Sequence, residues 1–409
     1  VDTGTPVVSA VTALQERINA LPDTDTLAEM DEDEQAEVYA EVCDIYDAID
    51  KLTPEEGKAL DVSALEEAAA FFTQQIMPLD EGDNDTVMFG TCGATEKDSV
   101  NWALTKNSDG STYTLTISGT GAMADYKSNI RNENATQPWQ TNQTKIDVEK
   151  ITKIVVERGV TKIGAFAFNG ITNVTEYDIA ATVADIGKWG LETSSVEHFY
   201  LNENPNYTVD RDGVLLNADK TELIAYPGGA KARDSYTIPD TVTTVASGAF
   251  VGCDAAKLVI PSTVKILPSW SFNGGTIQEI VCNTETLPDS VFPNIETLEK
   301  ISFGDAIKTL PKQAMFGCPK LCDVTLPDGL TSIGEQAFMN CAALSCIKFP
   351  TSLESIGRQA FISCTALSGI EFPEGLKKIG GQAFFRCTAL TALVFPDSLT
   401  TIGGSAFSG

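Results

Sequence analysis

The sequence has ten cysteine thiols, and several of them recur at a fixed spacing. Five of the ten cysteines occupy one position of an internal repeat: Cys253, Cys318, Cys341, Cys364 and Cys387. Other repeats carry Ile171 or Gly275 there, which predicts buried free thiols that act as compact hydrophobes. Cys322 and Cys346 lie beside strands and are expected to be exposed. Because parallel stacking disfavours disulfide geometry and no C-x-x-C motif occurs, the sequence predicts neither disulfides nor a metal site.

His198 is the one imidazole of the chain, so every mechanism that needs two is excluded. No nucleophile motif points to it, and no phosphate-cradling glycine loop is present, which favours a structural histidine at the surface or between repeats. The acidic run at 31–34 could bind calcium, but it lacks the spaced loop and glycine of an EF-hand, which favours a solvated helix-capping face. We therefore predict a protein with no catalytic residue, no metal and no cofactor.

The acidic charge argues against nucleic-acid and membrane-surface partners. The 28 basic and 57 acidic side chains give a formal charge of -29, which repels phosphate backbones and anionic lipids. Residues 1–86 hold 23 of the acidic side chains but 3 of the basic ones, so two differently built parts are joined. No apolar stretch has the length of a membrane span, so no membrane insertion is expected. The chain opens at Val1 without an apolar signal core, which predicts that a leader was removed or trimmed off.

Residues 1–82 predict an acidic, all-α three-helix bundle. Apolar residues recur at helical spacing over three segments, at 7–21, 38–49 and 65–76. Capping-box motifs precede the third segment, and the short connections imply antiparallel packing. A role as a spacer or docking module is expected for this bundle.

From residue 301 a pattern repeats every 23 residues, with units beginning at Ile301, Val324, Ile347, Ile370 and Leu393. The pattern is I/V-x-F/L-P-x-x-L-x-x-I-G-x-x-A-F-x-x-C-x-x-L-x-x, and looser units begin near Ile280, Leu258, Tyr236, Tyr177 and Ile154. With an expanded unit at 199–235, about eleven repeats result, each of which we call a rung. This period is typical of leucine-rich repeats, in which each rung supplies a short strand and stacking buries a continuous core. In one rung, the side chains expected to point inward are Leu344, Ile347, Phe349, Leu353, Ile356, Phe361 and Cys364.

These units resemble the BspA-type leucine-rich repeats of bacterial cell-surface proteins, over residues 86–409. The resemblance extends to a segment before the repeats, with Gly90-Thr91-Cys92-Gly93, Trp102, Asp109-Gly110, the stretch from Ile117 to Met123 and Pro138-Trp139. It also includes the expanded unit, with Asn204-Pro205-Asn206-Tyr207, Asp212 to Leu216 and Leu223 to Pro227. The resemblance implies an exported or surface-attached protein, several relatives being linked to adhesion, and no family catalytic residues. The helical part at 1–82 lies outside it.

An open solenoid end exposes apolar core and unpaired strand edges, so it needs a cap. Strands at 100–106 and 113–118, joined through 107–110, predict a β-hairpin suited to that task. The chain stops at Gly409 midway through a unit, which predicts truncation or continuation in a parent protein. The predicted fold is thus mainly β: a right-handed leucine-rich-repeat solenoid at 151–409 with a parallel sheet and a β-hairpin cap at 86–150, preceded by the bundle at 1–82.

Two surfaces are candidates for binding. The first is the outer side of the strand column, where the predicted contact residues are Thr325, Lys348, Glu371 and Val394, among neighbours that include Val155, Thr237, Val259 and Ser302. The second is the position just before the Ala-Phe pair, which holds Phe166, Trp189 and Trp270 in early rungs but Gln313, Gln336, Gln359 and Gln382 in late ones. If the glutamines face solvent, the aromatics should too, and exposed aromatics mark an interface. The competing interpretation is that the rings cover neighbouring rungs, or seat the bundle or the long loop at 202–234.

The function predicted from these features is recognition without chemistry. An extracellular or cell-surface protein of adhesin type would bind a host protein or glycan through the solenoid face. The alternative is a structural spacer or display stalk within a longer surface protein. The sequence does not indicate the ligand, the anchoring mode or the oligomeric state.

Overall fold

The chain forms two compact units, Val1–Phe89 and Gly90–Gly409. The computed structural model describes residues 10–30, 60–65, 67–68, 86–95, 97–127, 137–140, 148–230, 233–272 and 274–409, with Val38, 41–42, Ile45 and Ala48. None of the helices in this described part is long and apolar enough to cross a lipid bilayer. The division predicted from the sequence, into 1–82, 86–150 and 151–409, remains a prediction.

The helices of the N-terminal unit are short, and the predicted all-α three-helix bundle is wrong. Helix α1 spans Ala10–Asn19, with ten residues, and helix α2 spans Thr24–Glu29, with six. Helical residues also lie within 38–48 and 63–68, both described only in part. Three amphipathic helices of three to four turns were expected, and α2 lies in a stretch for which no helix was predicted.

Local capping accounts for this difference. The Asp23 carboxylate accepts a hydrogen bond of 2.8 Å from the Thr26 N–H, which starts α2 directly after Pro22. Bonds from the Thr26 side chain and backbone hold the pKa of Asp23 below its usual value. A helix of six residues is unstable alone in water, so it depends on packing. The small core that supplies this packing contains Leu14, Ile18, Leu27, Val42, Ile45, Leu65 and Ala68. The acidic run at 31–34 lies outside the described residues.

A β-hairpin precedes the repeats, as predicted. Strand β1 spans Thr86–Thr91, and β2 (Ser99–Lys106) pairs antiparallel with β3 (Tyr113–Ala122). The Asp109 carboxylate shapes the turn by accepting hydrogen bonds from two backbone N–H groups, those of Ser111 and Thr112. Short 3-10 helices follow at Pro138–Gln140 and Val148–Lys150. The other edge of β3 pairs in parallel with the first strand of the repeats, so the hairpin continues the solenoid sheet.

Ten short parallel strands form the first face of the solenoid, which has about eleven turns. They are β4 (Ile151–Val156), β6 (Glu176–Ile179), β8 (His198–Tyr200), β12 (Ser235–Thr237), β14 (Lys257–Ile260), β15 (Glu279–Cys282), β16 (Lys300–Phe303), β18 (Asp323–Thr325), β20 (Cys346–Lys348) and β22 (Gly369–Glu371). Ile154 pairs with Tyr177, and Tyr236, Leu258, Ile280, Ile301 and Val324 pair in succession. These registers, with the pairing of Ile347 and Ile370, confirm those predicted unit starts, whereas no strand forms at the predicted start Leu393.

A second face carries the remaining strands. They are β5 (Val160–Ile163), β7 (Asp185–Ile186), β9 (Tyr207–Val209), β10 (Leu215–Asn217), β11 (Glu222–Ala225), β13 (Thr244–Val245), β17 (Thr309–Leu310), β19 (Ser332–Ile333), β21 (Ser355–Ile356), β23 (Lys378–Ile379) and β24 (Thr401–Ile402). The expanded unit folds β9, β10 and β11 into antiparallel pairs, after which β11 pairs in parallel with β13. The first-face sheet stops at β8 and a new one starts at β12, so the expanded unit interrupts the repeat.

Side chains of equivalent position stack into columns in the solenoid core. The seven side chains predicted to point inward in one rung are all buried. Phe338, Phe361, Phe384 and Phe407 stack with ring centroids 5.0, 5.1 and 5.2 Å apart and nearly parallel planes. The late rungs therefore repeat with a nearly constant spacing and little twist.

Candidate binding surfaces

The first face places one predicted contact residue on each late rung. Thr325, Lys348 and Glu371 are exposed on β18, β20 and β22, and Val394 is 84% exposed. A neighbouring outward position carries opposite charges on adjacent rungs, as in the ion pairs Lys153 with Glu176 (3.3 Å), Lys257 with Glu279 (3.0 Å) and Lys300 with Asp323 (3.2 Å). Such exposed pairs contribute little stability singly, but like charges would meet if a strand were displaced by one rung.

The position equivalent to the one before the Ala-Phe pair has a left-handed backbone in ten rungs. Its occupants are Phe166, Trp189, Gly248, Trp270, Ser290, Gln313, Gln336, Gln359, Gln382 and Ser405, with φ between 52° and 84°. In seven of the ten, the backbone N–H donates to a carbonyl of the following rung, as from Gln336 to Arg358 at 3.0 Å. We call this set the left-handed column. Glycine adopts this conformation most easily, so any other residue at this position has an energetic cost in its backbone conformation.

In the late rungs the left-handed column is a hydrogen-bonded amide ladder. Nε2 of Gln313 donates to Oε1 of Gln336 at 2.7 Å. The same bond joins Gln336 to Gln359 and Gln359 to Gln382, each at 2.8 Å. Ser290 starts the row by donating its hydroxyl to Oε1 of Gln313 at 3.0 Å. The glutamines are half-buried, and their pairing was not predicted.

The three aromatic residues of the column differ in exposure. Trp270 is 41% exposed, whereas Phe166 and Trp189 are half-buried. The Trp189 indole lies over Gly248, where an added Cβ would come within 2.6 Å of its Cε3 atom. Trp189 therefore covers the next rung of the column, which is the competing interpretation given above, while Trp270 presents surface to solvent. Whether any of the three binds a ligand remains a prediction.

A cleft opens where the expanded unit interrupts the second face. Its volume is about 300 Å3, and its lining includes Trp189, Glu222, Ile224 and Ile266. Burial, with a smaller contribution from the nearby Asp185 carboxylate, raises the pKa of Glu222 above its usual value.

Few large apolar side chains are exposed on the solenoid before its last rung. Among the described residues, the large hydrophobic side chains that are exposed outside the last rung are Tyr200 (45%), Ile266 (58%) and Trp270 (41%). Ile266 lines the cleft, and Trp270 follows the cleft-lining Pro268 by two residues. Tyr200 lies on β8, with its ring 5.9 Å from that of His198, which is exposed as a surface histidine. Tyr200 and Ile266 were not predicted, because both lie at outward positions for which the repeat pattern has no consensus residue.

A cluster of polar side chains forms hydrogen bonds between the expanded unit and the following rung. Nη1 of Arg233 donates to the Tyr226 hydroxyl at 2.9 Å, and that hydroxyl donates to the Asp254 carboxylate at 3.1 Å. The Arg233 guanidinium also lies 5.3 Å above the Tyr226 ring and bonds to the Asp212 carbonyl. Burial raises the pKa of Asp254, and the bond from Tyr226 and the charge of Arg233 oppose this shift.

The repeat cysteines are buried, as predicted. The thiols of Cys318, Cys341, Cys364 and Cys387 each lie 3.1–3.3 Å from a backbone carbonyl of a preceding rung. Burial raises the pKa of Cys318 to about 12, so this thiol is neutral and unreactive at physiological pH. Cys322 and Cys346 are exposed, also as predicted, and all nine described cysteines are free. The described residues hold no group of three or more His, Cys, Asp or Glu side chains suited to a metal ion.

Comparison with known families gives one match along the repeats. The BspA-type leucine-rich repeat region, in six copies, matches residues 146–214, 230–321 and 285–409, which together cover more than half of the chain. No curated protein matches the chain.

Several solved structures are similar. A leucine-rich repeat protein from Eubacterium ventriosum is 24% identical with a TM-score of 0.40, over 79% of this chain and 95% of that one. A leucine-rich repeat protein from Bacteroides ovatus is 19% identical with a TM-score of 0.41, over 74% and 98%. A leucine-rich cell surface protein from Faecalibacterium prausnitzii is 18% identical with a TM-score of 0.34, over 76% and 95%.

Proposed function

Because the chain belongs to the BspA-type leucine-rich repeat family, we propose that it is a surface recognition protein that binds an extracellular protein or glycan through its solenoid. Proteins of this family are typically bacterial cell-surface proteins, and leucine-rich repeat proteins are generally binding modules without enzymatic activity. An extracellular or cell-surface location and a role in adhesion are part of this proposal.

The observation that supports the proposal most is the exposure of large apolar side chains, two of which lie in or beside the cleft. Ile266 lines the cleft and Trp270 follows the cleft-lining Pro268 by two residues, whereas Tyr200 lies on β8, the last first-face strand before the expanded unit. Tyrosine and tryptophan dominate binding hot spots, and exposed apolar patches of a soluble protein mark interaction sites. A solenoid that served as a spacer would gain nothing from such a patch.

A ligand screen with matched variants tests this proposal. The protein is applied to arrays of glycans and of extracellular matrix proteins, and the affinity for any ligand is measured with Ile266→Ser and Trp270→Ser. We expect a loss of about tenfold or more, since truncating an anchor residue typically removes more than 1 kcal/mol of binding energy. Lys320→Ser, an exposed change at another corner of the solenoid, serves as the control and should bind normally.

The outcomes separate recognition from the alternative role as a spacer. No ligand in either array, together with normal surface display after deletion of one whole rung at 347–369, would contradict the proposal and favour the spacer. A ligand whose binding is indifferent to Tyr200, Ile266 and Trp270 would show that recognition occurs elsewhere on the solenoid.

A further inference from the structure

We propose that the amide ladder of the late rungs binds an extended, uncharged, β-linked polysaccharide that lies along the solenoid axis. This inference rests on the proposed function and names the ligand class and the surface. We call Gln313, Gln336, Gln359 and Gln382 the glutamine track. The four residues three positions further on, Phe316, Met339, Ile362 and Phe385, form the apolar ridge.

The glutamine track offers one spare donor and one spare acceptor on each inner rung. A carboxamide has two N–H donors and two acceptor lone pairs. In Gln336 and Gln359 the ladder uses one N–H, toward the next rung, and one lone pair, from the previous rung. The remaining N–H and lone pair lie on half-buried side chains that reach the surface. Sugar hydroxyls both donate and accept, so they can use these groups in turn along the track.

The spacing of the track suits a polymer rather than a compact ligand. The phenylalanines two residues after Gln336 and Gln359 stack at 5.0 and 5.1 Å with planes within 6° of parallel. The amides belong to the same rungs, so they recur at nearly this spacing and with little twist. An extended β-1,4-linked pyranose chain advances by a similar distance with each sugar, so successive sugars can meet successive rungs.

The apolar ridge lies alongside the track and gives the surface an amphipathic character. Each ridge residue donates its N–H to the carbonyl of its glutamine, at 3.1–3.3 Å, which fixes the two columns side by side. All four ridge side chains are half-buried and therefore present part of their apolar surface. A pyranose ring has apolar C–H faces and hydroxyl edges, which match a ridge and an adjoining row of amides.

The charges beside the track favour a neutral ligand. The position before each glutamine carries Lys312, Glu335, Arg358 and Gly381, a net charge of +1 over four rungs. Lys312 and Glu335 lie 3.9 Å apart and neutralise each other. Toward the N-terminus the column continues to the exposed indole of Trp270, on which a sugar ring can stack.

Calorimetric titration of the full chain with soluble cello-oligosaccharides tests the proposal. We expect the affinity to rise with length from the disaccharide to the hexasaccharide, because each added sugar meets a further rung. The double variant Gln336→Met and Gln359→Met keeps side-chain length but removes the amides, and should weaken hexasaccharide binding about tenfold or more. Glu374→Met, exposed in the turn after β22, is the control and should bind normally.

The double variant could lose binding because it does not fold, so a variant of the apolar ridge tests the same surface with the ladder intact. Met339→Gln leaves every amide bond of the track in place and is also expected to weaken binding. An affinity independent of length, equal binding of α-linked maltohexaose, or full binding by both the amide and the ridge variants would overturn the proposal. If another ligand binds through Ile266 or Trp270 while the track variants have no effect, the proposed function stands and this inference fails. If no probe and no array ligand binds, both fail.

Discussion

The left-handed column shows how one backbone position can serve different purposes along a repeat. All ten of its residues hold a positive φ, although only Gly248 is a glycine. A non-glycine residue there is strained by about 1–2 kcal/mol. In the late rungs the amide ladder offsets this strain, and at Trp189 the packing of the indole on Gly248 does so. The side chain, rather than the backbone, therefore decides what each rung does at this position.

The contact between Trp189 and Gly248 gives a prediction at the scale of single residues. Gly248→Ala is expected to lower the free energy of unfolding by about 2 kcal/mol or more, because the new methyl group would overlap the indole at a positive φ. In a Trp189→Ala background the overlap disappears, and the loss should fall to about 1 kcal/mol. Denaturant unfolding of the four proteins in this double-mutant cycle measures the difference. Equal losses in both backgrounds would contradict the contact.

Glu222 gives a prediction of pH dependence. Its pKa is raised in the folded protein, first by burial and then by Asp185, so folding disfavours its ionised form. This penalty is present at neutral pH and disappears as the pH falls through the raised pKa toward the value of the unfolded chain. Glu222→Gln should therefore melt at a higher temperature than the parent at pH 7, and the two should converge below about pH 4. Melting curves at several pH values test this, and a gap that widens in acid would contradict it.

Residue types predicted the position of the column but not its contacts. The glutamines recur at the repeat period, which correctly indicated a shared position at the surface. Their ladder depends on the close spacing of rungs and on the left-handed backbone, and neither is encoded at the position itself. The three aromatic residues of the column were predicted to face outward together. Trp189 is nevertheless half-buried, because its ring packs on Gly248, the next residue of the column. Trp189 and Trp270 are the same residue type at the same position, so their difference in exposure depends on the residues that they contact.

At the scale of elements, the expanded unit is held by one polar cluster. Arg233 bonds to Tyr226 and to the Asp212 carbonyl, and its side chain is 21% exposed. The cluster joins the β9–β11 segment to the turn that holds Asp254. Because these groups are largely desolvated, removing one leaves the others unpaired.

Two arginines of this unit form a matched pair for a stability test. Arg233→Ala should lower the free energy of unfolding by about 2–4 kcal/mol, since it leaves buried partners without a counterpart. Arg211→Ala removes a side chain that is 93% exposed and pairs with Asp212, and should change stability by less than about 0.5 kcal/mol. Similar effects of the two changes in chemical denaturation would show that the cluster does not hold the unit.

The elements differ in how well the sequence predicts them. The first-face strands and their register followed from the pattern, because each strand position has a preferred residue type that recurs in about eleven rungs. The hairpin was predicted from its turn and alternation. The described N-terminal helices are shorter than predicted, since apolar periodicity there could not show that Asp23 caps a short helix. A pattern that recurs in many rungs can be recognised even when single rungs deviate from it. The N-terminal segment has no repeats, so its pattern could not be checked in this way.

At the scale of the whole molecule, each unit has its own hydrophobic core. The core around Leu14, Ile18 and Leu27 belongs to the N-terminal unit, and a separate cluster runs through the solenoid from Val214 to Ala406. The negative charge is also divided unevenly, with residues 1–86 holding most of it. Residues 87–409 hold 34 acidic and 25 basic side chains, a net charge of -9, and this modest charge does not oppose binding of an uncharged ligand.

Separate cores predict separate stability. A chain of residues 86–409 is expected to keep its β-type circular dichroism and to melt within about 3 °C of the solenoid transition of the full chain. Its pI should rise, because most of the excess carboxylates are lost. A much lower melting temperature would show that the N-terminal unit stabilises the solenoid.

The amide ladder also has a direction. Gln313, Gln336 and Gln359 each donate toward the C-terminal rung, so their amide dipoles point in the same direction along the row. Each bond polarises the next, and a break at Gln336 or Gln359 should disturb more of the row than one at Gln382. The two ends of the track are chemically unlike. A chain molecule with unlike ends, such as a polysaccharide with a reducing and a non-reducing terminus, would lie along it in one orientation.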